Sequence, residues 1–231
     1  MTDVGSAFDW DACWAGNIAG YDSWSYEFGA KLATTFSQLF DDIGPPKTVA
    51  SVGCGPATTL LNLAEDYPEH HFYGYDISPQ AIEQARKRRD DRGIENVIFT
   101  VDRLPRLSTD RTFQFVYSIA TLHYVAESEM AVRSLWQCVE PEGHLAVNYP
   151  TPFHQKEMMP KLVENWDEVG FESKSQQWVR NRFRLILNGE NILTEERIGA
   201  LLERPPRDIR TFDAEMPSEI GEKFRVTILR K

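Results

Sequence analysis

The sequence predicts an α/β fold: a doubly wound, mostly parallel sheet of about seven strands with an antiparallel terminal hairpin, plus a helical lid. Three observations carry this. From residue 47 onward, short apolar and β-branched segments alternate with helix-like ones in a βαβαβ rhythm. Strands such as Phe115-Val116-Tyr117 are apolar on consecutive residues, as strands covered on both faces must be. Two late strand-like stretches, Asp208–Asp213 and Lys223–Leu229, are nine residues apart, close enough to pair antiparallel.

The first 40 residues read as helical and rich in aromatics, among them Phe8, Trp10, Trp14, Tyr21, Trp24, Tyr26 and Phe28. Gly44-Pro45-Pro46 ends that region, because tandem prolines cannot continue a helix. Thr48–Val52 is the first strand, stopped by Gly53-Cys54-Gly55, and Ala57–Tyr67 the first helix after it, closed by Pro68. His71–Tyr75 is the second strand and ends at Asp76; Ser78 then caps a helix that has Pro79 at its first position. Asn96–Val101 and Phe113–Ser118 follow as strands three and four, and Glu127–Val139 as a helix. A turn at Pro141-Glu142-Gly143 leads into a fifth strand, His144–Tyr149. The expected units are a helical cap over 1–44, a ligand-binding core over 45–151, a helical lid over 152–203, and a β-hairpin over 204–231 that completes the core sheet.

Composition excludes several classes. The 231 residues are 42% apolar, enough for a sizeable core and too apolar for a disordered chain. With 25 basic and 35 acidic side chains the net charge is −10, which disfavours a nucleic-acid surface. No apolar run reaches the ~18 residues of a membrane helix, and MTDVGSAFDWD lacks the regions of a signal peptide, so a cytoplasmic protein is expected. Cys13, Cys54 and Cys138 have neither an even count nor metal-site spacing, so neither a disulfide framework nor a cysteine metal site is expected.

The chemistry gathers at strand ends. Gly53 and Gly55 permit a tight turn and the close approach of a ligand, and the following helix offers free N–H groups. Asp76 stands 21 residues beyond Gly55, the distance at which an acid on the adjacent strand meets ribose hydroxyls. Asp102 ends the third strand, where an acid can accept from an adenine amino group; Asp102-Arg103 could equally be a surface ion pair. All four strand ends fall on the carboxyl edge, where open α/β sheets bind ligands.

In order, these segments resemble the motifs of the class I S-adenosylmethionine-dependent methyltransferases, a Rossmann-like family. VASVGCGPAT resembles their glycine-rich first motif, FYGYDISPQAIEQAR the acidic second, VDRLP the third and FQFVYSIATLHYV the fourth. LWQCVEPEGHLAVNYP resembles the helix, turn and fifth strand that come next. The resemblance implies S-adenosyl-L-methionine as cofactor, with Gly53, Cys54 and Gly55 facing its methionine part, Asp76 its ribose and Asp102 its adenine. Ile77 and Arg103 stand beside those acids in the implied contact set, and Ser118 or Ile119 would offer a backbone carbonyl to the cofactor's amino group. Tyr21-Asp22 resembles the family's YD pair, whose tyrosine helps cover the cofactor. Two positions depart from the pattern: Ser51 replaces the acid usual two residues before the first glycine, and Ala57 replaces the third glycine.

A small-molecule methyl acceptor is expected. His123, just past the fourth strand, is the candidate base or the candidate residue for holding the acceptor. Ser118-Ile119-Ala120-Thr121 offers no acids for a metal, so none is expected, and it differs from the Asn/Asp-Pro-Pro-aromatic motif of nucleic-acid amino methyltransferases. Trp166, Phe171, Trp178 and Phe183 are candidates for an apolar pocket or a plain helical core; Arg180, Arg182 and Arg184 for a carboxylate grip or surface ion pairs. The alternatives are a cofactor-binding protein without catalysis and a nicotinamide-dependent oxidoreductase; Thr58 stands where the nicotinamide fingerprint wants Gly or Ala.

Overall fold

The computed structural model describes residues 8–15, 21–168, 171, 173–212 and 225–231. Two helices, α1 (Trp10–Ala15) and α2 (Tyr21–Ile43), precede the sheet. The alternation then runs β1 (Thr48–Val52), α3 (Thr58–Asp66), β2 (His71–Asp76), α4 (Pro79–Asp91), β3 (Val97–Val101), β4 (Phe113–Ser118), α5 (Ser128–Gln137) and β5 (Val139–Val147). Next come α6 (Met159–Glu164), α7 (Gln176–Arg182), α8 (Arg184–Asn188), α9 (Glu195–Leu202), β6 (Arg207–Asp208) and β7 (Thr227–Arg230). The seven strands lie in the order β3-β2-β1-β4-β5-β7-β6. The first five are parallel, and β7 runs antiparallel to both β5 and β6.

Strand periodicity explains the two cores. Val49, Phe115 and Tyr117 point to one face, where Leu32, Phe36, Leu60 and Ile82 of the flanking helices cover them. Ala50, Val52 and Val116 point to the other, against Val132 and Leu135 of α5 and Ile198 and Leu201 of α9. Burial on both faces accounts for the continuous apolar run of β4. Ser78 caps α4 as its sequence implies, accepting from the Ala81 N–H at 3.1 Å.

Two elements differ from the sequence reading. Pro141-Glu142-Gly143 is not a turn before the fifth strand but an irregularity inside β5, where the register shifts and Glu142 takes a φ of 65°. Among the described residues of that stretch, 208–212, only Asp208 is strand, and Ile209–Phe212 forms a 3₁₀ turn. The cause is Asp208, whose carboxylate accepts from the Arg210 backbone N–H and from the guanidinium groups of Arg210 and Arg225, curling the chain back. Residues 213–224 of the expected hairpin lie outside the described ones.

Trp166, Phe171, Trp178 and Phe183 belong to a third apolar cluster with Met159, Val163 and Val179. They pack on one another as a small helical core, so pocket lining falls to other residues. Among the described residues no helix is long and apolar enough to cross a membrane.

Candidate active site at the carboxyl edge

A cavity of about 390 Å³ opens along the carboxyl ends of β1 to β4. Its floor is the turn after β1. Gly53 and Gly55 have φ of 75° and 53°, the left-handed region that other residues enter only at a cost. A Cβ on Gly53 would lie 2.1 Å from Thr121 Oγ1, and one on Gly55 would lie 3.1 Å from the Trp14 ring. The turn therefore needs glycine for conformation and for contact alike. Ala57 also sits at a φ of 60°, so the methyl group at the third glycine position is carried in strained backbone.

The Gly53 and Cys54 N–H groups both donate to the Tyr75 carbonyl, at 2.7 and 3.0 Å, which ties the turn to β2. Asp76 finishes the connection: its Oδ2 accepts from the Gly55 N–H at 2.8 Å and its Oδ1 from the Ser78 N–H at 2.9 Å. Burial raises its pKa, and these N–H groups oppose that rise. Beside it Ile77 is 48% exposed, one of the few large apolar side chains left open, and it lies on the cavity wall. Asp102 closes its own loop, accepting from the Arg103 and Ser108 N–H groups at 2.8 Å each.

The helix α1 roofs this floor. Asp11 accepts from Ser78 Oγ at 2.5 Å and from the Gln80 N–H at 3.2 Å, pinning α1 to the start of α4. Trp14 then covers Gly55, while Trp10, one turn earlier, packs edge-on against Tyr124 at 4.7 Å. The Arg182 guanidinium lies 5.3 Å from both of those rings and 5.2 Å from Phe8, and its Nε donates to Tyr124 Oη at 3.3 Å. Arg182 is only 3% exposed yet lies on the cavity wall, with Arg184 on the same wall.

The structure thus brings Gly53, Cys54, Gly55, Asp76, Ile77, Asp102, Arg103 and Ile119 together around one cavity. Two further predicted residues stand off the wall. Ser118 is fully buried, with its Oγ donating to the Val52 carbonyl and its own carbonyl accepting from the Asn148 N–H. His123 is buried beside His154, ring centroids 5.7 Å apart, with no hydrogen-bond partner on either ring nitrogen among the described residues. Burial, aided by His154, lowers its pKa to about 3. The Tyr21 side chain lies outside what the structure describes.

Four wall or support residues escaped the sequence reading as site residues: Trp14, Tyr117, Thr121 and Asn148. Asn148 Oδ1 accepts from the Ala120 N–H at 2.7 Å and holds that residue at a φ of 58°, which swings Thr121 onto Gly53. Such contacts span distant parts of the chain, so local spacing gives no signal for them. Among the described residues no group of three or more His, Cys, Asp or Glu could hold a metal.

A parallel sheet ended by an antiparallel strand, with a glycine turn and two acids on successive strand ends, defines the Rossmann-like class to which methyltransferases belong. A family model described as a methyltransferase domain matches residues 45–198. The chain belongs to that family. It is 34% identical over 113 residues to a trans-aconitate 2-methyltransferase of Rhodococcus jostii, covering 48% of this chain and 41% of that protein. It is 23% identical to aklanonic acid methyltransferase DauC of Streptomyces sp., covering 68% and 80% of the two chains. The match therefore spans less than half of the first relative and most of the second. Among solved structures, an O-methyltransferase family protein from Burkholderia thailandensis aligns with a TM-score of 0.65 at 14% identity, covering 97% of this chain and 63% of that one. The plantazolicin methyltransferase BpumL, solved with S-adenosylhomocysteine, gives 0.64 at 12% identity, covering 95% and 89%. Family membership and the antiparallel β7 remove the nicotinamide reading.

Proposed function

We propose that the protein is an S-adenosylmethionine-dependent methyltransferase whose acceptor is a small molecule methylated on a carboxylate. The cavity suits the cofactor: its glycine floor lets Thr121 and Trp14 close over the turn, Asp76 offers a buried carboxylate, and Ile77 offers an open apolar face for a flat base. When bound, S-adenosyl-L-methionine supplies a methyl on cationic sulfur, which a nucleophile takes in line as the C–S electron pair stays on sulfur.

The observation that carries the acceptor class is the make-up of the wall: Arg182 and Arg184 line it, and no imidazole or lysine lines it among the described residues. An imidazole or amine titrating near neutrality is the commonest base for an acceptor that must lose a proton. A carboxylate, with a pKa near 4, arrives already ionised and needs none. In this reading Arg182 steers the anion under the aromatic roof, and Trp10 and Trp14 keep water from the reacting atoms. His123, neutral and off the wall, takes no proton in the step. The acid methyltransferases among the relatives are consistent with this class of acceptor.

The test is methyl transfer from methyl-labelled S-adenosylmethionine to a panel of carboxylic acids, phenols and amines. Label should enter the acids, leave as methanol in mild alkali, and transfer at a rate flat from about pH 6 to 9, since no group on the wall must give up a proton. Alkali-stable label, in a phenol or an amine, overturns the carboxylate reading. Binding without turnover across the panel points instead to a non-catalytic cofactor-binding protein.

A further inference from the structure

The charges on the cavity wall balance. Among the described residues it carries three acids, Asp76, Asp102 and Glu127, and three cations, Arg103, Arg182 and Arg184. The balance also holds by depth. Arg103 and Glu127 are exposed, where water and salt screen them, while Asp76, Asp102 and Arg182 are buried and Arg184 is half-buried. Backbone N–H groups donate to both buried acids, which favours their charged forms.

With a neutral wall, the contents decide the net charge of the site. S-adenosyl-L-methionine brings a sulfonium, an ammonium and a carboxylate, so one positive charge is in excess. An acceptor with a single carboxylate cancels it. In the transfer the carboxylate oxygen bonds to the methyl carbon as the C–S bond breaks, and that electron pair stays on sulfur. The products are a neutral ester and a thioether with a zwitterionic tail, so the contents are neutral before and after. Each further carboxylate on the acceptor would leave water for a wall with no cation in excess.

The ring surface of the wall says what carries the carboxylate. Phe8, Trp10 and Tyr124 are half-buried wall residues whose rings lie within 5.3 Å of the Arg182 guanidinium. Phe8 meets Trp10 edge-on at 4.9 Å and Trp10 meets Tyr124 at 4.7 Å, so the three rings are continuous. Val125 and Leu185 line the same cavity. Such a surface packs best against a flat apolar body.

We propose that the acceptor is a monocarboxylate on an apolar, ring-bearing body, and that the neutral wall selects against a second carboxylate. The assignment rests on the carboxylate reading above and narrows it.

Initial rates of label transfer by the full chain at pH 8 and low salt test it, with every carboxylate probe ionised. The probes are 1-naphthoate, isophthalate, its monoamide 3-carbamoylbenzoate, and trans-aconitate with three carboxylates. The monoamide keeps the shape of isophthalate and removes one charge. Its kcat/KM should exceed that of isophthalate about tenfold, and 1-naphthoate should exceed trans-aconitate about a hundredfold. Asn181→Lys adds a cation at an exposed position on the wall and should narrow the isophthalate gap about threefold. Equal values for isophthalate and its monoamide, trans-aconitate matching 1-naphthoate, or a gap unmoved by Asn181→Lys overturns the assignment. Titration of wild type with S-adenosylhomocysteine separates the failures. If it binds and acids take label without regard to charge, only this assignment is wrong. If it binds and no acid takes label, the carboxylate reading falls and this one with it.

Discussion

At the scale of single residues, the site is governed by groups whose freedom has been removed. Gly53 has Thr121 where a Cβ would be, and each oxygen of Asp76 is tied to a backbone N–H. His123 is constrained differently: it is buried uncharged beside a second imidazole. Its pKa in the folded protein, about 3, lies below the ordinary value of 6.5, so the unfolded chain binds a proton that the native protein refuses. The residue therefore costs no stability above pH 7. As pH falls below 6.5, stability should drop by about 1.4 kcal/mol per pH unit toward the folded pKa. Urea unfolding of wild type and His123→Leu between pH 7.5 and 4.5 measures this as a difference in slope. Parallel slopes would show that the imidazole is solvated in the native state.

At the scale of elements, the decisive piece is the loop after β4. It follows a strand that the apolar pattern makes easy to read, but its own course depends on Asn148 at the end of β5. That side chain bonds the Ala120 N–H and stabilises a backbone conformation unfavourable for alanine. Asn148→Ala leaves a partly buried donor without its partner and should lower unfolding stability by about 1 kcal/mol. An unchanged denaturation midpoint would mean the Ala120 N–H finds another acceptor. The roof helix α1 is positioned in the same indirect way. Its six residues are too short to be stable alone, and Asp11 and Trp14 hold it on α4 through Ser78, Gln80 and Gln84.

At the scale of the whole molecule, the sheet joins two cores, and β7 belongs to both. Ile228 packs in the cluster that holds α2 and α3, and Leu229 in the one that holds α5 and α9. Its position between β5 and β6 shields the edge of the parallel strands. Deleting residues 225–231 should abolish the single cooperative thermal transition and drive the protein to aggregate, measured by calorimetry and light scattering. A monomeric, cooperatively melting truncation would show that the first five strands suffice.

Much of this was legible in the chain itself. Glycines before a helix, acids at successive strand ends, Ser78-Pro79 at a helix start and apolar β4 all act within a few residues or at fixed spacing, so their consequences follow from local geometry. The parallel direction of strands one to five follows from the same rhythm, while their order in the sheet does not. What the tertiary structure alone decided is where distant segments meet. It turned His123 away from the cavity, ended a strand at Asp208 by recruiting Arg225, and set Trp14 over Gly55. Each of these depends on side chains 17 or more residues apart competing for one volume or one hydrogen bond, and no spacing rule carries that competition.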